Sequence, residues 1–394
     1  LSETRIHEAG AGAFSSSRSI AVLDFLRWAS ALEVMVGHVR DMVFIDYRDV
    51  VGSGIAVKLF YFVTSFGFES VMVFFVLSGY LVGGKVVSDR RAGIFSWPPY
   101  IINRFSRIYV VLVPALMLTI LCDRLGAHLF VDVPLYHGSH WSPSVYFDYR
   151  TRTSWPILAC NLANLQFIAC PAYGSNGPLW SLAMEWFYYL TFPILLWLVR
   201  DAEWSARYAL RLGVVLLGAA VGYRYAHGTI LLYPVWLMGV AARLAAERFR
   251  LGWPVAAIAF FALLYSLPAE RFGSLRWSVG VYAIGASLAL LISCAPLLRV
   301  TFAARLNKSL ADFSYSLYAA HFPLAMFGLA LLQHEGVLTR REPVSAHSLA
   351  IFGGIALAIY GTSYVLSLAT ERHTATVRNW LKRRFAISRA RALS

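Results

Sequence analysis

Apolar runs of roughly 18 to 25 residues recur from Ile20 to Leu368 and leave little polar chain between them. As a helix, a run of that length covers a hydrocarbon core of about 30 Å. Lipid offers the backbone no hydrogen-bonding partner, so the runs must be helices that satisfy their own amides. A chain of 394 residues could hold two or three soluble domains, but 58% hydrophobic against 14% charged residues excludes that class. The expected fold is all-α: a polytopic membrane protein of about ten transmembrane helices in one bundle. Their centres fall near Leu32, Val73, Val113, Tyr189, Leu216, Trp236, Phe261, Leu288, Ala325 and Leu357.

A net charge of +14 raises the question of nucleic acid, because a basic chain can neutralise phosphates. The Lys and Arg residues, however, sit in short clusters between apolar runs, the pattern of a positive-inside bias rather than of a basic binding face. The expected partner is the lipid bilayer, not nucleic acid. With the N-terminus inside, the clusters at 85–107, 200–211, 243–250, 299–308 and 372–391 all fall in the cytoplasm. Both termini are then cytoplasmic, and the chain reads as a tail over 1–19, a transmembrane domain over 20–371 and a basic tail over 372–394. The first helix lacks a small-residue cleavage site and is expected to stay as an anchor.

One long connection, 124–177, falls on the outer side, and long loops often carry function. Its Tyr136, Trp141, Tyr146, Tyr149 and Trp155 suit either sugar stacking or interfacial anchoring. His137 and His140 have no nearby Cys or carboxylate to complete a shell, so no metal is expected. Cys122 and Cys294 lie in apolar runs as packed thiols, whereas Cys160 and Cys170 lie where an oxidising compartment would allow a bridge.

The first helix is the densest in chemistry. From Asp24 it presents Arg27, Glu33, His38, Arg40 and Asp41 in an apolar setting, and ionisable residues within a span are functional candidates. At about 100° per residue, Arg27 and His38 share a face, with Asp24 and Asp41 near the same stripe. The plain alternative is an Asp24–Arg27 pair and a packed histidine. Glu33 lies off the stripe and needs its own partner.

Further along, Glu69 needs a cationic or hydrogen-bonding partner, and Ser78, Gly79, Gly83 and Gly84 leave room either for another backbone or for a thin substrate arm. Arg104 and Arg107 project on one side of a helix, where guanidinium forks match phosphate oxygens; an ordinary positive-inside cluster is the alternative. Pro178 suits a first helical turn, which sets Glu185 about two turns inside, able to orient an imidazole or bind a substrate hydroxyl. Tyr318 and His321 are i, i+3 neighbours, and Pro323 frees a backbone carbonyl near them.

Together these segments resemble the acyltransferase family 3 membrane proteins, which include bacterial O-acetyltransferases of surface polysaccharide and peptidoglycan. The resemblance rests on Asp24-x-x-Arg27 followed by His38, on Phe74-Phe-Val-Leu-Ser-Gly79, on Arg104-x-x-Arg107-Ile108, on Trp180-Ser-Leu-x-x-Glu185, and on Ser314-Tyr-x-x-Tyr318-x-x-His321-x-Pro323. The five come in order and span nearly the whole chain. The sequence departs from the family pattern at Trp28, Glu33 and Glu69.

The resemblance implies a bacterial inner-membrane enzyme that moves an acyl group, expected to be acetyl, from cytoplasmic acyl-CoA to a hydroxyl of a cell-surface or lipid-linked glycan. It makes His38 and Arg27, with Asp24 and Glu185, the catalytic candidates. Arg104, Arg107, Ser78 and Gly79 become candidates for acyl-CoA, and Tyr318, His321 and Glu69 for the acceptor. Acyl-CoA is a donor substrate, and no tightly bound cofactor is expected. Either His38 activates the acceptor directly or a side chain carries the acyl group outward first. A transporter or flippase of a lipid-linked glycan is the rival reading, because it too would use intramembrane charge; no inverted repeat supports it.

Overall fold

The computed structural model describes residues 3–385 apart from 53, 139, 201–212, 214–226, 250, 272, 274–275 and 296–302. Every regular element among the described residues is helical. Seven stretches of them are long and apolar enough to cross a membrane: Ile55–Arg91, Trp97–Leu129, Gly177–Leu198, His227–Arg248, Trp253–Glu270, Ser314–His334 and Ala346–Arg384. They coincide with seven of the expected centres. The helix near Leu288 is Trp277–Ser293, apolar but only 17 residues long. The helix near Leu32 is Glu3–Val43, which starts well before Ile20 and carries Asp24, Arg27 and Glu33 in its interior. The centre near Leu216 lies outside the described residues.

Local chemistry explains where several helices begin. Trp97–Leu129 carries proline in its first turn, where the fixed φ suits a helix and the missing N–H would have had no partner. Ala346–Ala369 opens on a reciprocal cap: the Ser345 side chain accepts the Ser348 N–H, and the Ser348 hydroxyl accepts the Ser345 N–H.

The chain divides into two compact units, the first comprising Leu1–Ser30, Glu69–Phe95 and Tyr188–Asp312, the second Ala31–Phe68, Ser96–Phe187 and Phe313–Ser394. In the first, helix His227–Arg248 packs on a π-helical turn, Gly79–Gly83, and on Trp277–Ser293, which in turn packs on Trp253–Arg271. The approach at the π turn is backbone to backbone. A methyl group on Gly79 would collide with the Trp236 carbonyl, and one on Gly239 with the Val76 carbonyl. Beside them, Trp236 Nε1 donates to Ser78 Oγ at 3.0 Å, and Ser78 Oγ also bonds the Tyr189 hydroxyl at 3.0 Å. These small residues therefore serve close packing of one backbone on another. Gly79→Val should cost about 1–3 kcal/mol or more through overpacking. Thermal unfolding checks this: the midpoint should fall for Gly79→Val and hold for Gly353→Ala, a helical glycine with nothing within 4 Å of an added methyl. An unchanged midpoint for Gly79→Val would remove the close-packing account.

In the second unit, helix Ser314–His334 packs against both Trp97–Leu129 and Ala346–Ala369, and helix Thr374–Arg384 folds back on Trp97–Leu129. The long connection is ordered by short 3-10 turns, Pro134–His137 and Tyr149–Arg152, by helix Trp155–Leu162, and by a disulfide between Cys160 and Cys170. Asn161 braces that loop: its Nδ2 donates to the Ile157 and Pro171 carbonyls, and its Oδ1 accepts the Tyr173 N–H. The connection's aromatics divide. Tyr136 and Tyr149 are buried edge to face at 5.2 Å, while Tyr146 and Trp155 are exposed. Trp141 Nε1 donates to the Met42 carbonyl at 2.8 Å and Asp41 accepts the Ser144 N–H at 2.9 Å, so the connection grips the first helix just past His38.

Candidate active site

His38 and His321 meet in the second unit. Their rings stack with centroids 5.0 Å apart, and His38 Nδ1 lies 3.0 Å from His321 Nε2. Phe322 abuts the His38 ring edge-on at 5.2 Å. His321 is fully buried, whereas His38 keeps part of its surface open.

Hydrogen-bond logic fixes the neutral tautomers. His321 Nδ1 lies 2.6 Å from the Tyr318 carbonyl oxygen, which can only accept, so Nδ1 carries the proton. His321 Nε2 is then an acceptor, and His38 Nδ1 must donate to it. His38 Nε2 is left with a bare lone pair, the form a general base requires. One function suggested for Glu185, orienting an imidazole, is thus performed on His38 by His321.

The segment that ends in Pro178 holds this arrangement in place. Proline at 323 has no N–H for the Ala319 carbonyl one turn back. Asn176 Nδ2 supplies the missing donor at 2.9 Å and also reaches Thr119 Oγ1 at 3.0 Å. The Tyr318 hydroxyl donates to the Pro178 carbonyl at 2.8 Å, which leaves Ser181 Oγ as donor to Tyr318 at 2.6 Å. The Trp180-Ser181 and Tyr318-x-x-His321 motifs are therefore one constellation. Glu185 follows Ser181 by one turn of the same helix.

Arg107 forms an ion pair with Glu371 at 3.0 Å and lies over the Tyr315 ring at 5.0 Å. Glu371 is buried and also accepts the Ser316 N–H at 2.9 Å and its hydroxyl at 3.0 Å. Arg104 stands one turn earlier on the same helix. Removing the cation would strand a buried carboxylate. Arg107→Ala should therefore cost about 3 kcal/mol, and Arg107→Ala with Glu371→Gln markedly less. Unfolding of the single and double variants checks the coupling, and equal losses would show that the pair is not a unit.

In the first unit, Arg27 Nη1 pairs with Asp24 at 2.9 Å, and Trp28 Nε1 donates to Asn307 Oδ1 at 3.0 Å. Trp28, a departure from the family pattern, thus has a defined partner. Glu69 is buried in the first turn of helix Gly67–Ser78, where exposed N–H groups favour a carboxylate. In the second unit, Glu33 has the partner it needed: its Oε1 accepts the Phe66 N–H at 3.0 Å, just before that helix begins.

Sequence reasoning missed Glu371, Asn176 and Asn307. The first two carried a signal: Glu371 is a lone acid in a basic stretch at the end of an apolar run, and Asn176 sits in Gly-Ser-Asn-Gly-Pro, where a side chain commonly serves a nearby backbone. Asn307 carried none.

Helical spans with buried polar residues, converging in the second unit on an imidazole pair, define a multi-pass membrane protein with a site embedded among its helices. The family model described as an acyltransferase domain, that of acyltransferase family 3, matches residues 20–385, and the chain belongs to that family. A curated relative, acyltransferase MdmB of Streptomyces mycarofaciens, is 31% identical over 175 residues, or 44% of this chain. The match covers 38% of that relative's length. No solved structure matches the chain.

Proposed function

We propose that the protein transfers an acyl group, acetyl in the first instance, from cytoplasmic acyl-CoA to a hydroxyl of a cell-surface or lipid-linked glycan at a bacterial inner membrane. The observation that carries this reading is the His38–His321 pair, which leaves a neutral imidazole nitrogen bare in a protein of an acyltransferase family.

His38 Nε2 takes the proton of the acceptor hydroxyl as its oxygen forms a bond to the thioester carbonyl carbon. The tetrahedral intermediate collapses with cleavage of the carbon–sulfur bond. The coenzyme A thiolate leaves and is protonated by the His38 imidazolium, which returns the base to its starting form. Throughout, His38 Nδ1–H donates to His321 Nε2, so His321 is a positioning residue that also steadies the imidazolium. Arg104 and Arg107 suit the donor's phosphates by charge and spacing. Glu185, one turn beyond Ser181, remains a catalytic candidate.

The test uses labelled acetyl-CoA with the purified full chain in proteoliposomes and a candidate glycan. Covalent label on the glycan supports transfer. Movement of unmodified glycan across the bilayer, without label, would replace this reading with a transporter.

A further inference from the structure

Within the second unit, the ordered connection and the end of helix Trp97–Leu129 line a half-open cavity of ≈ 380 Å³. Its lining includes Asp123, Arg124 and His128 from the helix, Tyr149 and Arg150 from the 3-10 turn, and Tyr173. The volume lies at the small end of ligand sites, about 300–1,000 Å³. That suits one sugar unit rather than a length of chain.

Asp123 is the informative member. Only 1% of it is exposed, and its Oδ2 accepts the Ser175 N–H at 2.8 Å. The left-handed φ of +56° at Gly174 carries the chain into that contact, and a methyl group there would collide with Asp123. The Ser175 hydroxyl lies beside the same carboxyl, and the other oxygen, Oδ1, is buried without a hydrogen bond of ordinary geometry among the described residues. A buried carboxylate oxygen without a donor is costly, and an entering hydroxyl would relieve it. Tyr149 and Tyr173, both largely buried, line the cavity. At the mouth, Arg150 is forked onto Asp148 at 2.7 Å, while exposed Arg124 makes no ion pair among the described residues.

We propose that this cavity is a subsite for an acidic sugar, whose hydroxyl donates to Asp123, whose ring lies against Tyr149 and Tyr173, and whose carboxylate meets Arg124. The proposal rests on the glycan-acceptor reading above and narrows it to glycans that contain a uronic acid. The placement fits an acceptor. Ser175, bonded to Asp123, precedes Asn176, which reaches the Ala319 carbonyl two residues before His321.

Saturation-transfer NMR on the purified full chain, without acyl-CoA, tests this with methyl β-glucuronide, methyl β-glucoside and glucose 6-phosphate. The glucuronide should bind about tenfold tighter than the glucoside, the worth of one charge-assisted hydrogen bond. Arg124→Gln, a change at an exposed position, should erase that preference, and His38→Ala should keep it. Equal binding of glucuronide and glucoside, or a preference untouched by Arg124→Gln, overturns the subsite. Tighter binding of glucose 6-phosphate overturns the carboxylate assignment. Because no donor is present, these results stand apart from whether acyl transfer occurs.

Discussion

His38→Ala should lower acyl transfer by about 10²- to 10⁴-fold, the usual contribution of a positioned general acid–base group. The loss should fall on turnover. His38 keeps part of its surface open and packs on Phe322 and His321, so the truncated protein should stay folded and keep its affinity for acyl-CoA. Transfer by membranes matched for folded protein, with donor binding measured in parallel, separates chemistry from stability. A variant that acylates at the normal rate would remove His38 as the base.

His321→Leu should follow closely, with a loss of about 10²-fold or more, because the group that selects the His38 tautomer is gone. Without His321 Nε2 as acceptor, the form with the His38 proton on Nε2 gains population, and there it blocks the lone pair that must take the hydroxyl proton. His321→Gln keeps an amide oxygen that can accept from His38 Nδ1–H and should retain more turnover than His321→Leu. Both variants should leave the KM for acyl-CoA near wild type, and His321→Leu should alter the pH profile of kcat. A purely structural His321 would instead lower yield and kcat for both variants alike, with an unchanged pH profile.

The spans were legible because hydrophobic length is a local property, and the helices centred near Val73, Val113 and Ala325 follow from it directly. The helix around Leu32 was legible for the opposite reason: its charges stand out in an apolar setting. The pairing of His38 with His321 was not readable, since the two are 283 positions apart and helical periodicity relates only neighbours on one helix. Pro323 shows the boundary well. Its freed carbonyl was predictable from proline chemistry, but the donor that satisfies it, Asn176, belongs to a distant loop. Arg107 is similar, in that its charge and spacing were visible while the Glu371 carboxylate beside it was set by how Thr374–Arg384 folds back. The small residues around Gly79 signalled close approach, and only packing could say that helix His227–Arg248 takes the space.

The central claim is that this protein acylates a glycan through His38. Mass spectrometry of surface polysaccharide and lipid, from cells lacking the gene and complemented with wild type or His38→Ala, tests it most directly. Wild type should add the mass of one acyl group to one glycan species, and His38→Ala, present at equal level in the membrane, should leave the deletion pattern unchanged. An acyl mass restored by His38→Ala, or no acyl difference between deletion and wild type, would contradict the account.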